Sequence, residues 1–411
     1  MNIKMAKYTA KYPSVKKVDI HETVTQELIA SNINISKGKS IAIAVGSRGI
    51  SNLAEIVKST VEFVIKMGGK PFIVPAMGSH GGATAAGQRE LLEGYGITSE
   101  YVGAKIISSM KVVELPSDGL KTRVFMDQNA YNADGTIVIN RIKAHTDFHG
   151  KVESGIIKMC VIGLGKHKQA LEIHHHRLYG LKELIAPTAI KVLEHGNVIL
   201  GLGIVEDAYD KTVSIKAIRP EDFFIEESRL LKISKANMPK LPLNNIDILI
   251  IDQMGKDISG VGLDTNIIGR MKVGDNNEPE YPNITNIVIS DLTDASHGNA
   301  LGVGLGDIIT QRLFDKIDLQ ATYANVITST FLERGKIPII AKTDSEAINF
   351  AIRTCGPINI EDMKIVRIKN TLKLDEFYAN KAAEAAFLVD MEIDKIQAET
   401  DILEGNDLKA F

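Results

Sequence analysis

The segment from Asn140 to Lys158 reads NRIKAHTDFHGKVESGIIK, and the run His174 to His176 begins sixteen residues after that lysine. Imidazole titrates near neutrality, so His145 and His149 are candidate acids or bases, although each also reads as a solvated loop histidine. Lys158 stands among small and apolar residues, SGIIKMCVIGLGK, where an ammonium is costly to bury and tends to lose its proton. Such a lysine either threads its charge to the surface or is chemically used. Consecutive histidines on a helix point in different directions, so at most one or two of His174, His175 and His176 face one metal ion. Lys166, His167 and Lys168, in GLGKHKQ, read as a polar turn.

These residues need strands and helices to place them. Short apolar runs alternate with helical patterns, which is the signature of α/β layers. The strand candidates are SIAIAVG (40–46), KPFIVPA (70–76), GTIVIN (135–140) and NVILGLGIV (197–205), followed by IDILIID (246–252), TNIVISDL (285–292) and KIPIIAK (336–342). Helical patterns in ISNLAEIVKSTVEFVIKMG and TAAGQRELLEGYG separate the first three, the second closed by glycine. In an open α/β sheet ligands bind at the carboxyl ends of strands and near helix N-termini. Four polar motifs fall at such ends: AVGSRGISN, PAMGSHGGAT, NRIKAHTDFHG and DQMGKDISGVGLD. Taken singly, Gly-Ser-Arg-Gly at 46–49 also reads as a strand-to-helix turn, and His80 as a turn histidine before the next helix. Gly78, Gly81 and Gly82 allow close approach to an anion but match no Walker or dinucleotide fingerprint.

At 411 residues the chain has the length of about two domains, and KANMPKLPLNN (235–245) reads as the linker. A formal charge of −3 gives no electrostatic case for nucleic acid or an anionic membrane. Cys160 and Cys355 are far apart in sequence and indicate buried thiols rather than a disulfide framework. The first residues contain no apolar signal core, so a cytoplasmic protein is expected.

With these motifs in view, the sequence resembles the nickel-dependent lactate racemase family and its homologues that act on 2-hydroxy acids, over nearly its full length. The resemblance implies an α/β fold of two domains with the active site in the cleft between them. They would be a cofactor-binding domain at 1–240 and a second α/β domain at 246–373; the Ala-, Glu-, Asp- and Lys-rich stretch 374–411 reads as helical. It implies a nickel-pincer nucleotide cofactor, a pyridinium mononucleotide that holds nickel through two sulfurs and a ring carbon. Ser154, Gly155 and Lys158 stand in the family's Ser-Gly-x-x-Lys pattern, whose lysine tethers that cofactor, and His174 stands at the position of the nickel ligand. His80 and His145 correspond to the two proton-transfer histidines. Arg48, with Ser47 beside it, corresponds to the arginine that contacts cofactor or substrate. Gln253 and Lys256 reproduce a Gln-x-x-Lys pair that reaches the substrate carboxylate.

The implied reaction is racemisation or epimerisation by reversible hydride transfer from C2 to the pyridinium, with the histidines serving the hydroxyl proton. Its partners would be a small 2-hydroxy acid and the proteins that build the cofactor, with neither nucleic acid nor membrane. The spacing from His145 to Lys158 is longer than in lactate racemases, which keeps His149 as a rival second base. Their active-site tryptophan has no counterpart in a chain without tryptophan. Two other readings stand beside this one. One is a ligand-binding protein that keeps the fold without turnover. The other is a zinc-dependent hydrolase using His174 or His176 with Glu172, although no HExxH spacing occurs.

Overall fold

A parallel strand covered on both faces has no solvent side, so it reads as an unbroken apolar run, and the runs of the first half are such strands. The computed structural model describes residues 3–14, 18–46, 49–274 and 278–411. They form two units: Pro13–Met238, and a second made of Met1–Tyr12 with Pro239–Phe411. Ser47 and Arg48 lie outside the described residues.

The sheet of the larger unit runs Lys105–Ile106, Lys70–Pro75, Ser40–Val45, Gly135–Arg141, Val198–Glu206, Thr212–Ile218. All neighbours are parallel except the last pair. From Ser40–Val45 the chain steps outward through Lys70–Pro75 to Lys105–Ile106, then returns to lay Gly135–Arg141 on the other side of Ser40–Val45. The crevice between those two central strands is therefore a topological switch point, where the loops at the carboxyl ends diverge. Helix Leu53–Lys66 buries Leu53, Ile56, Val57, Val61 and Val64, which join Ile41, Ile43 and Ile139 in the core. Helix Ala85–Gly94 begins where the Thr84 side chain accepts the Gly87 N–H at 3.1 Å.

The smaller unit repeats the logic. Its sheet runs Ile339–Ala341, Ile308–Thr310, Asn283–Leu292, Asn245–Met254, Ile365–Asn370, Lys373–Ala379, Lys4–Lys11, Glu392–Asp401. The first five strands are parallel and the rest antiparallel. Its switch point lies between Asn245–Met254 and Ile365–Asn370.

Two expectations are corrected. The stretch 374–411 is largely strand, with a single short helix at Lys381–Glu384. Pairing with Lys4–Lys11 prevails there over the helix-favouring composition, since Ala, Glu and Lys carry no apolar helical stripe in this segment. That same N-terminal strand belongs to the smaller unit, so the larger unit spans Pro13–Met238 rather than 1–240.

The C-terminus is pinned at a buried charge. Arg367, 1% exposed, donates two 2.8 Å hydrogen bonds to Asp252, and its guanidinium lies 5.3 and 5.5 Å from the ring centres of Tyr378 and Phe411. Removing one partner of such a pair leaves the other charge buried alone. Arg367→Met is therefore expected to cost about 3–5 kcal/mol in urea unfolding. Lys395→Met, which breaks the exposed pair with Glu384, should leave the midpoint close to the parent's. Equal midpoints for the two variants would contradict the ranking.

Candidate active site

After strand Gly135–Arg141 the chain makes a loop closed by backbone bonds between Lys143 and Ser154, at 2.8 and 3.2 Å. The loop folds around the buried carboxylate of Glu153, which accepts the N–H groups of His145 (2.7 Å) and Gly150 (2.9 Å) and the Lys235 ammonium (2.6 Å). Burial alone would raise the Glu153 pKa, but these donors and His149 outweigh it and bring it down to about 2. A permanent anion thus holds the loop in shape.

His145 is 6% exposed, and both ring nitrogens are engaged. Nδ1 accepts the Asp147 backbone N–H at 3.0 Å, and Nε2 lies 2.5 Å from Lys158 Nζ. An acceptor at Nδ1 places the proton of a neutral imidazole on Nε2, so that N–H meets the lysine. This arrangement suits Lys158 as a neutral amine, the nucleophilic form. His149 instead turns its Nδ1 to Glu153, 3.5 Å away, with 42% of its side chain exposed.

Lys158 ends the helical turn Ile156–Lys158, which runs on into a π-helical turn, Met159–Gly163. A helix start inside a protein leaves N–H groups without partners, and Glu227 of helix Phe223–Ala236 accepts the one from Ile157 at 2.9 Å. Gly155 makes the approach possible: a Cβ there would fall 2.4 Å from the Glu227 carboxyl carbon. Asn140, near the end of its strand, donates to the Gly155 carbonyl at 2.9 Å. Burial pushes the Glu227 pKa up to about 7, against the two backbone N–H groups that hold it down.

Two other strand ends pack on the π turn. A Cβ on Gly46 would lie 2.6 Å from Met159 Cε, and one on Gly78 2.9 Å from Ile162 Cγ2. The first contact sets the start of the loop that continues into Ser47 and Arg48. The second sets the glycine turn that carries His80, which is half-buried.

His174 lies on helix Lys166–His175, and its buried Nδ1 has no hydrogen-bond partner. Burial is the main cause that lowers its pKa. Its neighbours diverge as expected, with His175 exposed and His176 beside Tyr179. His145 and Lys158 are thus in contact, with Ser154 and Gly155 framing the turn and the His80 loop packed on its continuation, and His174 lies on the helix that follows the π turn.

Gln253 and Lys256 belong to the smaller unit, at the carboxyl end of Asn245–Met254 and at its sheet's switch point. The Lys256 ammonium donates to the Gly260 carbonyl at 2.5 Å and to Asn325 Oδ1 at 3.4 Å, closing its own loop.

Lys166 corrects the reading of a polar turn. It is fully buried, donating to the Pro75 carbonyl and to Gln88 Oε1. Glu227 was also missed, although one signal existed. In FFIEESRLLKISKA the buried positions 223, 227, 230 and 234 form one stripe, and a glutamate stands on it. Among the described residues no group of three or more His, Cys, Asp or Glu could hold a metal, which the zinc-hydrolase reading requires. Among them, too, no helix is long and apolar enough to cross a membrane.

No family model and no curated protein matches the sequence. Among solved structures, the chain is similar to the lactate racemase apoprotein from Thermoanaerobacterium thermosaccharolyticum. The TM-score is 0.52 over 90% of this chain and 99% of that one, at 13% identity. The likeness is one of fold. It extends over both α/β units of this chain and carries no residue role with it.

Glu227 yields a pH prediction. Its folded pKa of about 7 lies above the ordinary 4.5, so its stabilising contribution is complete below pH 4.5 and is lost as pH rises through about 7. Glu227→Gln keeps an oxygen acceptor for Ile157 without that loss. Relative to the parent, the variant should gain stability progressively over this window, on the order of 3 kcal/mol at most, and gain nothing further above it. Denaturant unfolding from pH 4 to 9 measures this, and a constant difference would contradict it.

Proposed function

We propose that the chain is a racemase or epimerase of a 2-hydroxy acid, with a nickel-pincer nucleotide attached through Lys158. The observation that carries this reading is the contact between His145 Nε2 and Lys158 Nζ at a switch-point crevice. It is supported by the fold shared with a lactate racemase apoprotein. The residues fit the group on two counts: an amine kept beside an imidazole N–H can be acylated, and a buried imidazole with an unpartnered nitrogen is available to a metal.

In this reading Lys158 carries the cofactor, Ser154 and Gly155 shape its turn, His174 ligates nickel, and Ser47 and Arg48 contact the nucleotide or substrate. When bound, the pyridinium supplies a reversible acceptor for the C2 hydrogen with its electron pair. Attachment delocalises the lone pair of Lys158, so the His145 Nε2 that now meets the amine becomes available to the substrate hydroxyl. His145 and His80 then exchange the hydroxyl proton, one for each enantiomer. In this reading His149, turned toward Glu153, serves the loop rather than the proton transfer. Arg48 binds the substrate carboxylate through a bidentate fork. Proteins that build the cofactor are the partners this assignment requires.

The test uses protein produced with a source of the cofactor and a panel of optically pure 2-hydroxy acids carrying deuterium at C2. At least one acid should lose optical purity while the inverted product keeps its deuterium. Inversion with the label washed into solvent would overturn the hydride route. His80→Ala and His145→Ala should each slow inversion by about 10²–10⁴-fold, whereas His149→Ala should stay within about threefold of the parent.

A further inference from the structure

One buried ammonium takes no part in the proton chemistry, yet it touches the supports of the segments that do. Lys166 is 0% exposed and opens helix Lys166–His175 at φ +58°, a left-handed conformation that a residue with a side chain adopts only when its surroundings impose it. Its Nζ donates to the carbonyl of Pro75, the last residue of the strand before the His80 turn, and to Gln88 Oε1 at 3.4 Å. Asp127 Oδ2 lies 3.1 Å away as an ion pair rather than a directed hydrogen bond. Asp127 Oδ1 is occupied separately by the N–H groups of Asn129 and Ala130.

Gln88 is also fully buried, and its amide nitrogen donates to the carbonyls of Gly78 at 3.0 Å and His80 at 3.2 Å. The turn between and after those carbonyls contains Gly78, Gly81 and Gly82 at φ +60°, +65° and +62°. Such a glycine turn has little stiffness of its own, so the place of His80 depends on ties from outside it. Gly78 is also held against the π turn by its N–H on the Gly163 carbonyl, but the ties on the Gly78 and His80 carbonyls lead through one glutamine to one lysine, the first residue of the helix bearing His174.

Burying a lysine and an aspartate adds little stability over apolar residues of the same volume, so the pair is weak as a device for holding the fold. An apolar side chain could fill the space but could not bond a carbonyl and an amide oxygen at once. We propose that Lys166 is a positioning residue that, through Gln88 and the Pro75 carbonyl, locks the His80 turn to the helix carrying His174. The functional meaning rests on the roles proposed above for those histidines; the lock itself does not.

The test therefore uses the chain without cofactor or substrate. Lys166→Met strands Asp127, so the double variant Lys166→Met/Asp127→Asn removes both charges, and Gln88→Met cuts the link at its other end. Gln88→Glu keeps an acceptor for Lys166 but loses the amide donors, and should behave like Gln88→Met. Backbone hydrogen exchange by mass spectrometry and the His80 imidazole titration by NMR are read in each variant. All should exchange about tenfold faster or more over residues 78–84, with a moved His80 titration. Helix Leu53–Lys66 should exchange as in the parent. Unchanged exchange and titration in the double variant and in Gln88→Met would overturn the proposal. A uniform rise across the larger unit would overturn it too, by showing that the network merely holds the fold. If the double variant does not fold, Gln88→Met and Gln88→Glu decide the matter alone.

Discussion

A helix that begins inside a protein must have something to accept the N–H groups of its first turn, and the candidate site depends on how this is met. Glu227 reaches from a helix seventy residues later to the Ile157 N–H, and only a glycine at 155 lets it come so close. The capped turn directs Lys158 toward His145, and the π turn that follows receives the loops from two other strand ends. Loss of the cap would release Lys158, its contact with His145 and the packing of both loops together.

The cost of this arrangement is a set of buried polar groups. Glu153, Glu227, Asp127 and Lys166 all lie inside the larger unit, where apolar residues would be cheaper. Glu153, Glu227 and Lys166 are bound to backbone groups of a loop, helix start or strand end beside a candidate site residue, and Asp127 is the ion-pair partner of Lys166. Glu153 shapes the His145 loop, Glu227 seats Lys158, and Lys166 with Gln88 reaches the His80 turn. The polar interior thus serves geometry first, and the apolar cluster of Ile41, Ile43, Val57 and Ile139 supplies the driving force for folding.

What could be read from the chain follows the same division. Central parallel strands such as Ser40–Val45 and Gly135–Arg141 carry an apolar run through their middle and were legible. Lys4–Lys11 and Glu392–Asp401 were not, because the first carries three lysines and the second is exposed at nearly every position of a sheet edge. At the site, His145 and Lys158 stood out as polar residues in a small apolar segment, and one of the three histidines turned inward as helical geometry requires. Gln88 and Lys166 meet across 78 residues, and Glu227 meets Ile157 across 70, so no local pattern marked them as partners. Ser47 and Arg48 fall outside the described residues, and their assignment rests on the motif alone.

The role proposed for Lys158 is that of an amine held ready for a nickel-bearing nucleotide. The direct measurement is the intact mass and metal content of the chain after production with a working source of that nucleotide, followed by peptide mapping. The expected result is an added mass confined to Lys158, together with stoichiometric nickel that is lost in His174→Ala. An unmodified Lys158 and a nickel-free protein, from a source that loads a lactate racemase in parallel, would contradict it.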